Sequence, residues 1–223
     1  MDELPADIDR RRLTLTFDNG PSPAVTDHVL DVLGAHRALA IFFVIGTKFD
    51  TIEGRALTDR ARQEGHLIGN HTWSHSTPLG ALDSIEAVDA EIDRAQAALG
   101  DLVEPQRLFR PYGSGGVIDD RLIGRHGRQR LLDGGFTCSL WNCLPRDWLD
   151  PDGWVETALA TVRRQPWSVV VLHDVPTGAM AHLDRFLEHA RAGGVELSQD
   201  LPDVCTPIRL GVPTASFAML PVP

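Results

Sequence analysis

The chain has 223 residues, and its 21 basic and 31 acidic side chains give it a formal net charge of −10 at pH 7. Hydrophobic residues make up 43% of the sequence, which is enough to bury a full core, and an α/β barrel of this length usually forms one domain. The negative charge would repel a phosphate backbone, so we expect no nucleic acid partner.

The N-terminus and the cysteines bear on the cell compartment. The first five residues, MDELP, lack the apolar stretch of a signal peptide, and no segment reaches about 18 consecutive apolar residues. We therefore expect a cytoplasmic protein without a membrane partner. The cysteines are odd in number and lack zinc-finger spacing, which favours reduced thiols over disulfides.

The first predicted strand shows the unit that the rest of the chain repeats. Residues 13–17 alternate apolar side chains with threonine, the period-two pattern of a strand, and the run ends at Asp18 and the following NGP. Ser22 is then expected to cap a helix that ends near His36.

The same pattern of strand, polar tip and amphipathic helix continues along the chain. The later strands are predicted at 40–46, 67–69, 108–109, 138–142, 168–172 and, more weakly, 195–197. The later helices are predicted around Leu57 and Ala61, at 85–99, within 117–132, and at 154–162 and 179–192. Roughly seven strand units and six helices indicate an α/β fold.

Three segments are expected from this pattern. Residues 1–12 form an N-terminal extension, residues 13–202 form the barrel, and the proline-rich residues 203–223 form an irregular C-terminal tail.

Five of the predicted strands end in residues that carry chemistry. In a barrel of parallel strands, catalytic residues collect at the C-terminal ends of the strands. We therefore expect these side chains to converge at one mouth of the barrel. They are Asp18 with Asn19, His71 with His75, Arg110 with Tyr112, Asp147 with Trp148, and His173 with Asp174.

These strand ends read TFDNGP, HTWSH, RPYG, DW and LHD. Taken together and in this order, they resemble the five motifs of the polysaccharide deacetylase family, also called the NodB homology or carbohydrate esterase 4 family. The resemblance covers about residues 13–200. It implies a distorted (β/α)7 barrel in a single domain and hydrolysis of a non-peptide C–N bond, in which an N-acetyl group is removed from an amino sugar.

The resemblance also implies catalytic roles. Asp18 would be the general base that takes a proton from the attacking water, and Arg110 would position it, since a guanidinium fork can hold a carboxylate bidentately. Tyr112 would offer its backbone N–H to the oxyanion hole. His173, with Asp147 as its partner, would protonate the leaving amine.

Three apolar residues are expected to bind the substrate by the same resemblance. Trp148 would wall the acyl pocket, and Val171 and Leu172 would form its floor. Val171 stands where the family has a leucine, so the floor would stay apolar with a smaller side chain.

His71 and His75 can face the same way on a short helical turn, a common way to chelate a metal through imidazole nitrogens. A hydrogen-bonded turn is the alternative interpretation of this pair. The family's third ligand is an aspartate, and here Asn19 occupies that position. We expect a divalent metal, with zinc as the first choice, held by these three residues; without a metal, Asp18 must activate water by itself.

Two other functions stay open at this point. A metal-poor amidohydrolase of a small cyclic amide, imide or ureide is favoured by Asn19 and by the missing export signal. A non-catalytic carbohydrate-binding relative is disfavoured because Asp18, Arg110, Asp147 and His173 are all retained. The expected partner is an N-acetylated sugar or a small amide, and the sequence leaves the oligomeric state undetermined.

Overall fold

A computed structural model describes residues 11–222, in which strands and helices alternate along the chain. The strands are β1 (Arg12–Asp18), β2 (Ile41–Val44), β3 (Leu67–Asn70), β4 (Leu108–Phe109), β5 (Thr137–Cys138), β6 (Trp167–His173), β7 (Glu196–Ser198), β8 (Ile208–Arg209) and β9 (Val212–Pro213). The helices are α1 (Val25–Ala35), α2 (Gly46–Phe49), α3 (Ile52–Gln63), α4 (Ile85–Leu99), α5 (Gly124–Asp133), α6 (Trp154–Val162) and α7 (Leu183–Ala192). Short 3-10 turns occupy Leu79–Ala81, Gly100–Val103, Ser114–Gly116, Ala179–His182, Asp203–Cys205 and Phe217–Met219.

The sheet is built around β1. Parallel strands follow in the order β6, β1, β2, β3, β4 and β5, while β7 pairs with the first residues of β1. A parallel bridge between Cys143 and Val170 brings the chain after β5 beside β6, so the sheet curls back on itself. The predicted α/β fold with a distorted barrel is confirmed. In its register, Asp18 aligns with Phe43 on one side and with His173 on the other.

The period-two pattern of β1 separates two faces of the sheet. Leu13, Leu15 and Phe17 are fully buried and pack in one cluster with apolar side chains of α1, α6 and α7. Thr14 and Thr16 point to the other face, inside the curled sheet, because successive side chains of a strand alternate. The helices therefore cover the outside of the barrel, and the inside of β1 is left polar near its C-terminal end.

A small apolar cluster fills the interior of the barrel. It combines side chains of β2, β4 and β6 with two residues that follow β7. The cluster contains Ile41, Phe43, Leu108, Val169, Leu201 and Cys205.

The sequence had suggested an irregular C-terminal tail, but the structure places two short strands in it. Cys138 of β5 pairs antiparallel with Ile208 of β8, and β8 pairs with β9. Ile208 and Leu220 are buried in the second core cluster, so the residues after 202 complete the sheet. Two-residue strands are too short to show a period, which explains the error. The predicted N-terminal extension lies almost wholly outside the described residues.

Several predicted boundaries also shift. Ser22 does not cap α1 through its side chain, and the residue before the helix is Ala24 in a left-handed conformation. The apolar run 40–46 contains β2 and the start of the one-turn helix α2. The fifth strand ends at Cys138 instead of continuing to Asn142, because the chain leaves β5 to bridge to β6.

Two further observations concern the cysteines and the helices. The three cysteines are unpaired and buried, as predicted. Within residues 11–222, none of the helices combines the length and apolar character needed to cross a bilayer.

The packing of the tail predicts that substitutions in β8 and β9 change the free energy of unfolding by different amounts. Ile208→Ala should lower the free energy of unfolding by about 2–4 kcal/mol, because it removes buried methyl groups beneath β5. Val212→Ala, at a side chain that is 63% exposed on the neighbouring strand, should change it by less than about 0.5 kcal/mol. Denaturant unfolding of both variants tests this; equal effects would contradict the packing described here.

Candidate active site

A pocket of about 240 Å³ opens at the C-terminal ends of the strands. Most of the predicted site residues meet there, although they come from five separate strand ends. Its lining includes Asp18, Asn19, His71, His75, Tyr112, Gly116, Trp141, Leu144, Trp148, Val171 and His173. Arg110 and Asp147 lie beneath this surface, both with no exposed area, and each contacts a lining residue from below.

Inside the barrel, the Arg110 guanidinium donates hydrogen bonds to three side chains and to the backbone oxygens of Ser139 and Leu140. Its Nη1 donates to Asp18 Oδ1 at 2.9 Å and to Thr16 Oγ1 at 2.6 Å. Its Nη2 donates to Ser139 Oγ at 2.9 Å, and its guanidinium carbon lies 4.1 Å from the ring centre of Phe43. The expected bidentate contact is therefore absent, since only one guanidinium nitrogen reaches Asp18. The second carboxylate oxygen of Asp18 stays free to face the pocket.

His71 has a defined orientation and tautomer. Its Nδ1 is 2.8 Å from the Arg110 carbonyl oxygen, which can only accept, so Nδ1 carries the proton and Nε2 presents a lone pair. Nε2 lies 3.7 Å from Asp18 Oδ2. Burial lowers the pKa of His71 and outweighs the opposing effect of Asp18, so the ring is neutral near pH 7.

His75 is the second neutral imidazole. Its ring centre lies 4.7 Å from that of His71 and 3.9 Å from that of Tyr112. Burial, reinforced by His71 and His173, lowers the pKa of His75 to about 2. Neither of its ring nitrogens is hydrogen-bonded to another residue within the described part of the chain.

Asn19 follows Asp18 directly and has a left-handed backbone, with φ at 70°. Its side-chain oxygen is buried and has no hydrogen-bond partner among residues 11–222. Two neutral imidazoles and an unpartnered amide oxygen form a donor set that suits a borderline divalent ion. Over the same residues, no three His, Cys, Asp or Glu side chains form a metal-binding group, and the third donor here is an amide.

Asp147 holds His173 by two bonds. Oδ1 lies 2.8 Å from the ring Nδ1, and Oδ2 accepts from the backbone N–H of His173 at 2.9 Å. Burial opposes a charge on the ring, but the hydrogen bond and charge of Asp147, aided by Asp18 and Asp174, raise the pKa of His173. Because Nδ1 faces Asp147, Nε2 is the nitrogen left for the pocket.

The apolar wall of the pocket differs from its prediction at one residue. Trp148 meets the His173 ring edge-on with ring centres 4.7 Å apart, and Val171 lines the pocket. Leu172 does not line it. Alternation along β6 turns this side chain outward into the core with α7, so its predicted substrate contact is wrong.

The apolar wall residues that sequence reasoning missed include Trp141 and Leu144. Both follow β5, at the same end of the barrel as Asp147. This position in the sequence could have indicated that they line the pocket. The loop around Tyr112 closes against them: a Cβ at Gly116 would lie 2.0 Å from Leu144 Cδ2, and the φ of 78° at this position favours glycine. In this loop, the backbone N–H of Tyr112 has no acceptor among the described residues.

Comparison with known proteins places the chain in a family. The sequence model of the polysaccharide deacetylase family matches residues 6–127, more than half of the chain. A chitooligosaccharide deacetylase of Rhizobium leguminosarum bv. trifolii is 37% identical over 177 residues, which are 77% of each protein. A peptidoglycan-N-acetylglucosamine deacetylase of Listeria monocytogenes is 30% identical over 196 residues, 87% of this chain but only 39% of the Listeria protein.

A solved structure gives the same result. A family 4 carbohydrate esterase from Streptomyces lividans, in complex with acetate, superimposes with a TM-score of 0.71 at 25% identity. The match covers 88% of this chain and 96% of that one. The predicted family and hydrolytic class are thereby confirmed. This chain belongs to the polysaccharide deacetylase family, whose relatives named here are hydrolases of non-peptide C–N bonds.

Proposed function

We propose that this protein removes the acetyl group from an N-acetylated amino sugar, releasing acetate and a free amine. One observation carries the proposal: Asp18, held by Arg110, and His173, held by Asp147, line one pocket from aligned positions of two adjacent strands. A base and an acid on either side of one amide are what this hydrolysis requires. The related enzymes act, by their names, on chitooligosaccharides and on peptidoglycan N-acetylglucosamine.

Each group has a separate task in the proposed reaction. The Asp18 carboxylate takes a proton from a water molecule whose oxygen attacks the carbonyl carbon. The negative charge that develops on the carbonyl oxygen is stabilised by the unpartnered N–H of Tyr112. His173 then gives a proton to the departing nitrogen, so that the C–N bond breaks to an amine and a carboxylic acid. Trp148 and Val171 offer apolar contact to the acyl methyl group.

We also propose that His71, His75 and the Asn19 amide oxygen hold a divalent ion, with zinc as the first candidate. Bound there, such an ion would polarise the carbonyl group and lower the pKa of a bound water. The chain supplies neutral nitrogens for this purpose, because burial keeps both imidazoles uncharged. An amide in place of a carboxylate leaves the site with less negative charge, so the ion should be weakly held.

The pocket is open to the surface, which fits a sugar unit within a longer chain. A direct test is incubation of the purified protein with N-acetylated chitooligosaccharides, followed by assay of both acetate and new amines. Release of the two in equal amounts is expected. Turnover of a small cyclic imide without any release of acetate from the sugars would contradict the proposal. The cytoplasmic location and the absence of a nucleic acid partner stay predictions.

The acid role of His173 predicts a pH effect with a definite sign. An acid must begin protonated, so kcat should fall as pH rises through the pKa of His173. Asp147 raises that pKa, and Asp147→Asn should therefore move the alkaline limb of the kcat profile to lower pH. His173→Ala should lower kcat by about 10²–10⁴-fold.

The matched control for these variants is His182→Ala. Among residues 11–222, the His182 ring pairs only with the exposed Asp152, and it does not line the pocket, so its loss should leave the pH profile unchanged. An Asp147→Asn profile that overlays the wild type would refute the assigned acid.

The metal proposal is tested at Asn19. Asn19→Asp adds the missing negative charge, and it should tighten Zn²⁺ binding by at least about tenfold in calorimetric titration. Adding His75→Ala to this variant should remove most of the gain. Activity of the wild type should fall on chelation and return on addition of zinc. Full activity in chelator, together with no heat of zinc binding, would overturn the metal site.

A further inference from the structure

Lys48 is the single lysine among the 21 basic residues of the chain. It lies on α2, the one-turn helix that follows β2, and its side chain is half-buried. The sequence motifs gave it no role. Its surroundings connect it to the turn formed by residues 19–22, which we call the Asn19 turn.

Two hydrogen bonds join Lys48 to this turn. Its Nζ donates to the backbone oxygen of Asn19 at 2.6 Å and to Ser22 Oγ at 3.2 Å. The first of these acceptors belongs to a residue with a left-handed backbone, which asparagine tolerates but seldom adopts. The ammonium group therefore bonds directly to the backbone of a residue that lines the pocket.

The other side of α2 contacts the segment that carries the two histidines. Gly46 N–H donates to the Thr72 oxygen at 3.0 Å, and Thr47 N–H donates to the Trp73 oxygen at 2.9 Å. A Cβ at Gly46 would lie 2.4 Å from a ring carbon of Trp73, so the contact is close. The helix thus connects the Asn19 turn with the His71–His75 segment, and Lys48 makes its side-chain bonds to the turn.

A second set of bonds holds the turn from within. Thr26 Oγ1 accepts from the Ser22 N–H at 2.7 Å and donates to the buried carboxyl group of Asp174. Ile45 N–H donates to the Gly20 oxygen at 3.0 Å. These bonds fix the later residues of the turn, whereas Lys48 is the side chain that holds the Asn19 carbonyl.

We propose that Lys48 is a positioning residue of the active site, which sets the distance of Asp18 and Asn19 from the two histidines. The expected effect of Lys48 on the reaction rate rests on the proposed deacetylase function. Its expected effect on the structure of the Asn19 turn does not. Lys48 does not line the pocket and needs no contact with substrate. Its loss should therefore lower kcat far more than it changes KM.

The test compares Lys48→Met, which removes the donors and the charge, with Lys48→Arg, which keeps both. Lys48→Met should lower kcat by about 10–100-fold with KM within about twofold, since small misplacements of reacting groups are costly. Lys48→Arg should recover most of the rate. Arg55→Met is the matched control, because Arg55 lies near α2 but, among the residues that the structure describes, its side chain pairs only with the exposed Asp50 and stacks on Phe49.

Hydrogen exchange gives a readout that does not depend on activity. In Lys48→Met, amide exchange of residues 18–26 and of Ile45 should quicken by at least about tenfold, with the rest of the chain unchanged. Wild-type exchange in this segment would overturn the proposal, as would a uniform rise along the whole chain, which indicates only general destabilisation. If the wild type proves inactive on N-acetylated sugars, exchange in the three variants still decides the role of Lys48.

Discussion

The structure depends on one buried charge, the Arg110 guanidinium inside the barrel. A charge without exposed area is tolerated only when its donors are paired, and removing one partner of a buried pair costs about 3–5 kcal/mol. The partners come from three different strand regions: Thr16 and Asp18 on β1, Ser139 after β5, and the ring of Phe43 on β2. Because the backbone oxygen of Arg110 also orients His71, one residue fixes the positions of both Asp18 and His71. Its burial thereby links the stability of the barrel to the geometry of the pocket.

The three histidines of the pocket lie in opposite electrostatic surroundings. Burial keeps the imidazoles of His71 and His75 neutral, whereas His173 lies against a buried carboxylate that favours its charged form. The three histidines have the same intrinsic chemistry, so the different directions of their pKa shifts come from their surroundings. The family motifs led us to expect the pairing of His173 with Asp147, although the two are 26 positions apart, whereas the burial that lowers the pKa of His71 and His75 is visible only in the fold.

Strands and helices could be predicted from the sequence where their hydrophobic patterns are long enough to show a period. The strand β1, the apolar run of β6 and the helix α4 have clear periods, and the polar residues at strand ends were therefore placed correctly at one mouth. Strands β8 and β9 have two residues each and no period, so they were taken for an irregular tail. Thr16 and Ser139 were missed for a different reason: they look like ordinary strand residues, and their contacts with Arg110 span 94 and 29 positions of sequence. Leu172 was misassigned because a motif names adjacent residues, while a strand sends neighbours to opposite faces.

The single lysine has a practical consequence for anyone who handles this protein. Apart from the α-amino group at the N-terminus, the ε-amine of Lys48 is the sole primary amine of the chain. Partial burial lowers its pKa, against the opposing effect of Asp174, so a larger fraction of it is uncharged and nucleophilic at a given pH than in a solvated lysine. An amine-directed label that spares the α-amino group would thus attach to Lys48, beside the Asn19 turn at the edge of the pocket. This applies equally to fluorophores, biotin esters and resin couplings.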